Sequence, residues 1–101
     1  MIDALHPAVL RLIKLAADGA ATHSRWIGVC GSVASDPVAA AILIGLGVTE
    51  LSVAPSAVPT VKAAVRRLRM AECRALAARA LACTSAAEVR ALAATPDRDT
   101  D

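Results

Sequence analysis

Two short runs of β-forming residues flank a single capped apolar helix, and this arrangement restricts the fold more than any other feature of the chain. Arg25 to Cys30, RWIGVC, contains Trp26, Ile27 and Val29. The run is continuous rather than alternating, which predicts a short parallel strand buried on both faces. Gly28 inside it suggests a close packing neighbour. Asp36-Pro37 then reads as a helix start, because the carboxylate caps free N–H groups and proline suits the first helical position. That helix is expected to run to about Leu46 and to stop at Gly47. Glu50 to Ala54, ELSVA, predicts a second strand. A strand, a crossover helix and a strand make a βαβ unit, parallel and right-handed. Two parallel strands do not make a stable sheet, and open parallel sheets need cover on both faces. The pattern therefore reads as the end of a larger α/β structure, such as a (β/α)8 barrel without its early strands.

The remaining segments are helical. Pro7 opens a helix over about 7–23, with Val9, Leu12, Ile13, Ala16 and Ala20 at helical spacing and Gly19 weakening its end. Ser56 and Pro59 open another, with Val58, Val61, Val65 and Leu68 on one face and Lys62, Arg66 and Arg67 off that stripe. Lys62, Arg66, Arg67 and Arg69 read as a solvated helix face. Cys73, Leu76, Ala80 and Cys83 give a further stripe, and Ser85 with Glu88 forms a capping-box pattern for a last short helix. The predicted order is α-β-α-β-α-α-α over residues 1–94, and 95–101 (TPDRDTD) is a polar tail.

Hydrophobic residues make up 56% of the 101, yet Trp26 is the only aromatic, so the core must come from closely approaching elements. A net charge of +2 is too mild to imply nucleic acid. The longest apolar run, from Pro37 to Val48, falls short of the ~20 residues a membrane span needs. The opening MIDALHP carries an acid and no basic segment, unlike a signal peptide, and the expected location is the cytoplasm.

Three cysteines without CxxC spacing predict neither a disulfide framework nor a zinc site. Cys73 and Cys83 fall on helical stripes and read as small packing residues. Cys30 differs, because it ends a strand. Ligands of α/β proteins sit beyond the carboxyl ends of strands, and the next helix would present its N–H groups there to an anion. Gly31, Ser32, Ala34 and Ser35 leave room for a ligand. The residues alone leave two readings open: a thiol serving as acid or nucleophile, or a buried strand-end residue beside a turn. A thiol enzyme in its own right would need a base, and no histidine lies near Cys30 in sequence.

Residues 28 to 68, GVCGSVASDPVAAAILIGLGVTELSVAPSAVPTVKAAVRRL, resemble the C-terminal part of the phosphoenolpyruvate–protein phosphotransferases, the enzyme I components of the bacterial sugar phosphotransferase system. These belong to the family of enzymes that use phosphoenolpyruvate (PEP). The resemblance rests on Cys30-Gly31, the acid Asp36, Gly45-Leu46-Gly47, Ser52, and Pro59 with Lys62. HPAVLRLIK near the start and AECRALAARAL near the end extend it over nearly the whole chain up to about Leu92.

The resemblance implies the last two βα units of a PEP-binding barrel, plus terminal helices used in dimerisation. The family takes a phosphoryl group from PEP onto its own histidine with Mg²⁺, then passes it to the histidine-containing phosphocarrier protein during sugar uptake. The role it implies for Cys30 is that of proton donor at the methylene carbon of enolpyruvate, with Gly31 and Ser32 beside the substrate. Two positions depart from the pattern: Ser32 replaces a glutamate and Ser35 a glycine. His6 and His23 do not match the phosphorylated histidine, and His23 reads as a surface residue. Asp36 is first a helix cap. The expectation is a phosphotransferase segment that is inactive alone, binds no Mg²⁺ by itself and self-associates. The alternative is a non-catalytic interaction or dimerisation module left from such an enzyme.

Overall fold

The computed structural model describes residues 5–30 and 37–94. Helix α1 spans Pro7–Thr22, strand β1 Gly28–Cys30, helix α2 Pro37–Leu46 and strand β2 Glu50–Ser52. A 3₁₀ turn at Pro55–Ala57 leads into α3 (Val58–Arg66), followed by α4 (Met70–Leu81) and α5 (Ala86–Ala94). The two strands pair in parallel, with Gly28 opposite Glu50, Val29 opposite Leu51 and Cys30 opposite Ser52.

The core lies around α2 rather than around the sheet. Ala39, Ala40, Ala41, Ile42, Leu43 and Leu46 are all buried, so this helix is enclosed on most of its circumference. Helices α1, α3, α4 and α5 pack against it, α4 most extensively. Leu5 and Leu10 from the α1 end, Ala77 and Ala80 from α4, Cys83, and Val89 from α5 complete the cluster.

Small residues set this packing. A Cβ built on Gly45 would run into the backbone carbonyl of Cys73 and come within 2.9 Å of the Ala77 Cβ. Backbones of α2 and α4 therefore approach as closely as a hydrogen side chain permits. Two residues on, Gly47 adopts a positive φ of 108°. Its N–H donates to the Ile44 carbonyl and that of Val48 to Leu43, which closes α2 with a left-handed residue where glycine costs least. At the end of α1 the same geometry falls on Ser24, at φ 53°. Ser24 N–H donates to Ala21 and Arg25 N–H to Ala20.

That closure corrects the first strand. Arg25 is held by the end of α1, so the expected start at Arg25 gives way to Gly28. Trp26 is 71% exposed instead of packed in a strand. Burial on both faces is also not found: Ile27 and Val29 are half-buried and Gly28 is exposed, because two strands alone leave faces uncovered. No close neighbour demands Gly28 either, since its Cβ would meet Glu50 and Trp26 at an ordinary 3.5 Å. The second strand stops at Ser52, level with the end of β1, rather than at Ala54.

The buried stripe of α1 also differs from the expected one. Pro7, Leu10 and Ala17 face the core, whereas Leu12 is 67% exposed and Ala16 is exposed. On a helix of Ala and Leu two stripes are equally apolar, and only the position of α2 selects between them. On α3, Val61 is buried and Val65 half-buried, but Val58 is 43% exposed; Leu68, expected on the same stripe, falls beyond the end of the helix and is half-buried.

The packing at Gly45 yields a paired prediction. Gly45→Ala forces α4 off α2 and should cost about 1–3 kcal/mol, the usual range for overpacking. Gly19→Ala places its methyl group where nothing lies within 4 Å and should stabilise α1 by roughly 0.5–1 kcal/mol. Urea denaturation of both variants measures the difference, and equal shifts in one direction would contradict the close-approach account.

Candidate functional site

The parallel register places Cys30 beside Ser52 at the carboxyl end of the two-stranded sheet. Both strands hand over to helices at this end: β1 to α2, starting at Pro37, and β2 through the Pro55–Ala57 turn to α3. Helix N-termini follow both strands, and α/β proteins bind ligands at this end of their strands. The Cys30 side chain, Gly31, Ser32, Ser35 and Asp36 lie outside the described residues, as does the capping expected of Asp36.

The opposite end of the sheet holds the strands together. The Ile27 N–H donates to Thr49 Oγ1 at 2.9 Å, and that hydroxyl donates to the Ile27 carbonyl at 3.0 Å. The same carbonyl accepts from the N–H groups of Thr49 and Glu50 at 2.9 and 3.1 Å. Thr49 thus acts as a clamp that fixes where β1 begins and, through the register, where Cys30 falls. Sequence reading passed over Thr49; a β-branched hydroxyl just before the second strand is its only signal.

Other titratable residues are placed away from this end. Glu50 pairs with Gly28 at the amino end of the strands, and Arg25 precedes β1. His6 caps α1, its Nδ1 accepting from the Ala8 N–H at 3.1 Å. His23 is exposed at the end of the same helix, and Lys62, Arg66, Arg67 and Arg69 are exposed. Among the described residues, no group of three or more His, Cys, Asp or Glu side chains comes together to hold a metal.

The other two cysteines are buried packing residues: Cys73 on α4, and Cys83 in the connection after α4 rather than on the expected helical stripe, because the helix ends at Leu81. Cys73 is 2% exposed and Cys83 8%, and both are free thiols. Burial, with the Glu72 carboxylate next in line, raises the Cys73 thiol above its ordinary value of 9.0. The Cys83 thiol donates to the Arg79 carbonyl at 3.4 Å. On α5, Glu88 N–H donates to Ser85 Oγ at 3.2 Å, one half of the capping box. The Glu88 carboxylate instead accepts from Thr84 Oγ1 at 2.6 Å.

Comparison with known proteins identifies the family. A model of the PEP-utilising enzyme family, described as its PEP-binding domain, matches residues 1–70. The chain belongs to that family. It is 52% identical over 92 residues to a multiphosphoryl transfer protein of Xanthomonas campestris, covering 91% of this chain and 11% of that protein. A multiphosphoryl transfer protein of Rhodobacter capsulatus is 59% identical over 90 residues, 89% of this chain and 11% of that one. The phosphoenolpyruvate-protein phosphotransferase of Streptomyces coelicolor is 42% identical over 91 residues, 90% of this chain and 16% of that one. The chain thus spans between about a ninth and a sixth of the length of these relatives.

Two expectations about the thiols follow. In the folded chain Cys30 should alkylate faster than Cys73 and Cys83, because both of those are buried. Mass-mapped labelling checks this; protection of Cys30, or equal labelling of all three, would make it a packing residue. The raised Cys73 value also has a sign. Below the ordinary thiol range both states hold the proton and stability is unaffected by it. As pH rises past about 9, the unfolded chain ionises first and stability falls. Replacing Cys73 with alanine should remove that share of the alkaline loss, measured as denaturation midpoints at pH 7.5 and 10.

Proposed function

We propose that the chain is a segment of a PEP-dependent protein-histidine phosphotransferase and forms the last two βα units of its (β/α)8 barrel. The observation that carries this reading is the parallel pairing of Cys30 with Ser52 at the helix-bearing end of a βαβ unit, in a chain that belongs to the PEP-utilising family. The name of the Streptomyces coelicolor relative, phosphoenolpyruvate-protein phosphotransferase, suggests the reaction class: phosphoryl transfer from PEP. In the complete protein the acceptor would be a histidine outside this segment, followed by a histidine-containing phosphocarrier protein in sugar uptake. Mg²⁺ would be held by that complete protein, which we place in the cytoplasm.

Cys30 is proposed to act after the phosphoryl group has left. Loss of that group turns PEP into the enolate of pyruvate, and a proton delivered to its methylene carbon gives pyruvate. The thiol of Cys30 supplies that proton and becomes a thiolate; in the reverse direction it takes the proton back. A thiol suits this work, because it exchanges a proton with carbon without competing for a hard cation as a carboxylate would. Gly31 and Ser32 would lie against the substrate.

On this reading the segment alone lacks the charge neutralisation that phosphoryl transfer requires. Each missing metal or cationic clamp removes several kcal/mol of transition-state stabilisation, on the order of 10³-fold in rate. Pyruvate release from PEP, assayed with Mg²⁺ and a phosphocarrier protein, should stay at background with this chain alone. Supplying the preceding part of the Rhodobacter capsulatus relative in trans should restore turnover, and Cys30→Ala should lower it by about 10²-fold or more. Cys30-dependent turnover by the chain alone would overturn the reading.

A second reading, a non-catalytic interaction or dimerisation module, is favoured by one observation. Leu12, Leu15 and Trp26 are each about two-thirds exposed or more, at 67, 68 and 71%. Together with the unpaired strand edges they give the isolated chain surface that seeks cover. Homo-oligomerisation is accordingly proposed. Light scattering at micromolar concentration should give a mass above that of one chain, and a stable monomer would count against it.

A further inference from the structure

We draw no further inference here: the strongest candidate, the open apolar depression of about 500 Å³ between β2, α3 and the end of α2, lined by Leu51, Val53, Val61 and Val65 with the exposed cations Lys62 and Arg66, carries nothing because nothing in the structure shows what covers it beyond the remainder of the barrel already proposed.

Discussion

Close contact between the backbones of α2 and α4 at Gly45 is the constraint from which the rest of the packing follows. A chain with one aromatic residue cannot bridge wide gaps between elements, so its helices must approach until alanine and glycine touch. At Gly45 the Cys73 carbonyl and the Ala77 methyl occupy the space a side chain would need. This fixes α4 on one side of α2 and brings Ala77, Ala80 and Cys83 into the cluster with Ile42 and Leu46. Dispersion across such a contact is small per atom pair but gathers along the whole helix. Once α2 is anchored, the close of its last turn at Gly47 sets where β2 can begin. Val48 and Thr49 follow directly, and the Thr49 clamp then sets the start of β1. The position of Cys30 is thus traced back, through register and turn, to a glycine on the far end of the helix.

How far this was legible in the sequence depends on the kind of signal. Breaks and caps were readable: Pro7, Pro37 and Gly47 lie at element ends. These residues act through their own backbone preferences, which neighbours do not alter. Facing was less legible. Leu12 and Leu10 are equally apolar, and α1 has alanines on both sides, so the buried stripe was decided by the neighbouring helix. Gly45 looks like Gly47 in sequence, yet it lies inside α2 and serves packing. Nothing local distinguishes the two roles, since the neighbour that needs the space is 28 residues further along. Ser24 in a left-handed conformation is illegible for the same reason: the turn geometry overrides the residue's modest reluctance. Of the candidate site, the backbone position of Cys30 is described, whereas the side chains that would meet a ligand lie outside the described residues.

The distribution of charge around the sheet bears on what the segment can contribute to chemistry. Its acid Glu50 lies at the amino end of β2, two registers away from Cys30 and Ser52. Its cations Lys62, Arg66, Arg67 and Arg69 are exposed on α3 and the connection beyond it. Phosphoryl transfer needs charges of both signs gathered at one point, whereas delivery of a proton to carbon needs one acid held in a water-poor place. On the proposed reading Cys30, at the carboxyl end of β1, would serve the second task. A division of labour would then hold within the barrel: this segment would manage the proton of enolpyruvate, and the metal and the phosphorylated histidine would come from elsewhere in the protein. The same division would let a segment with charges of both signs kept away from the carboxyl end of its sheet belong to a family whose matched domain binds PEP.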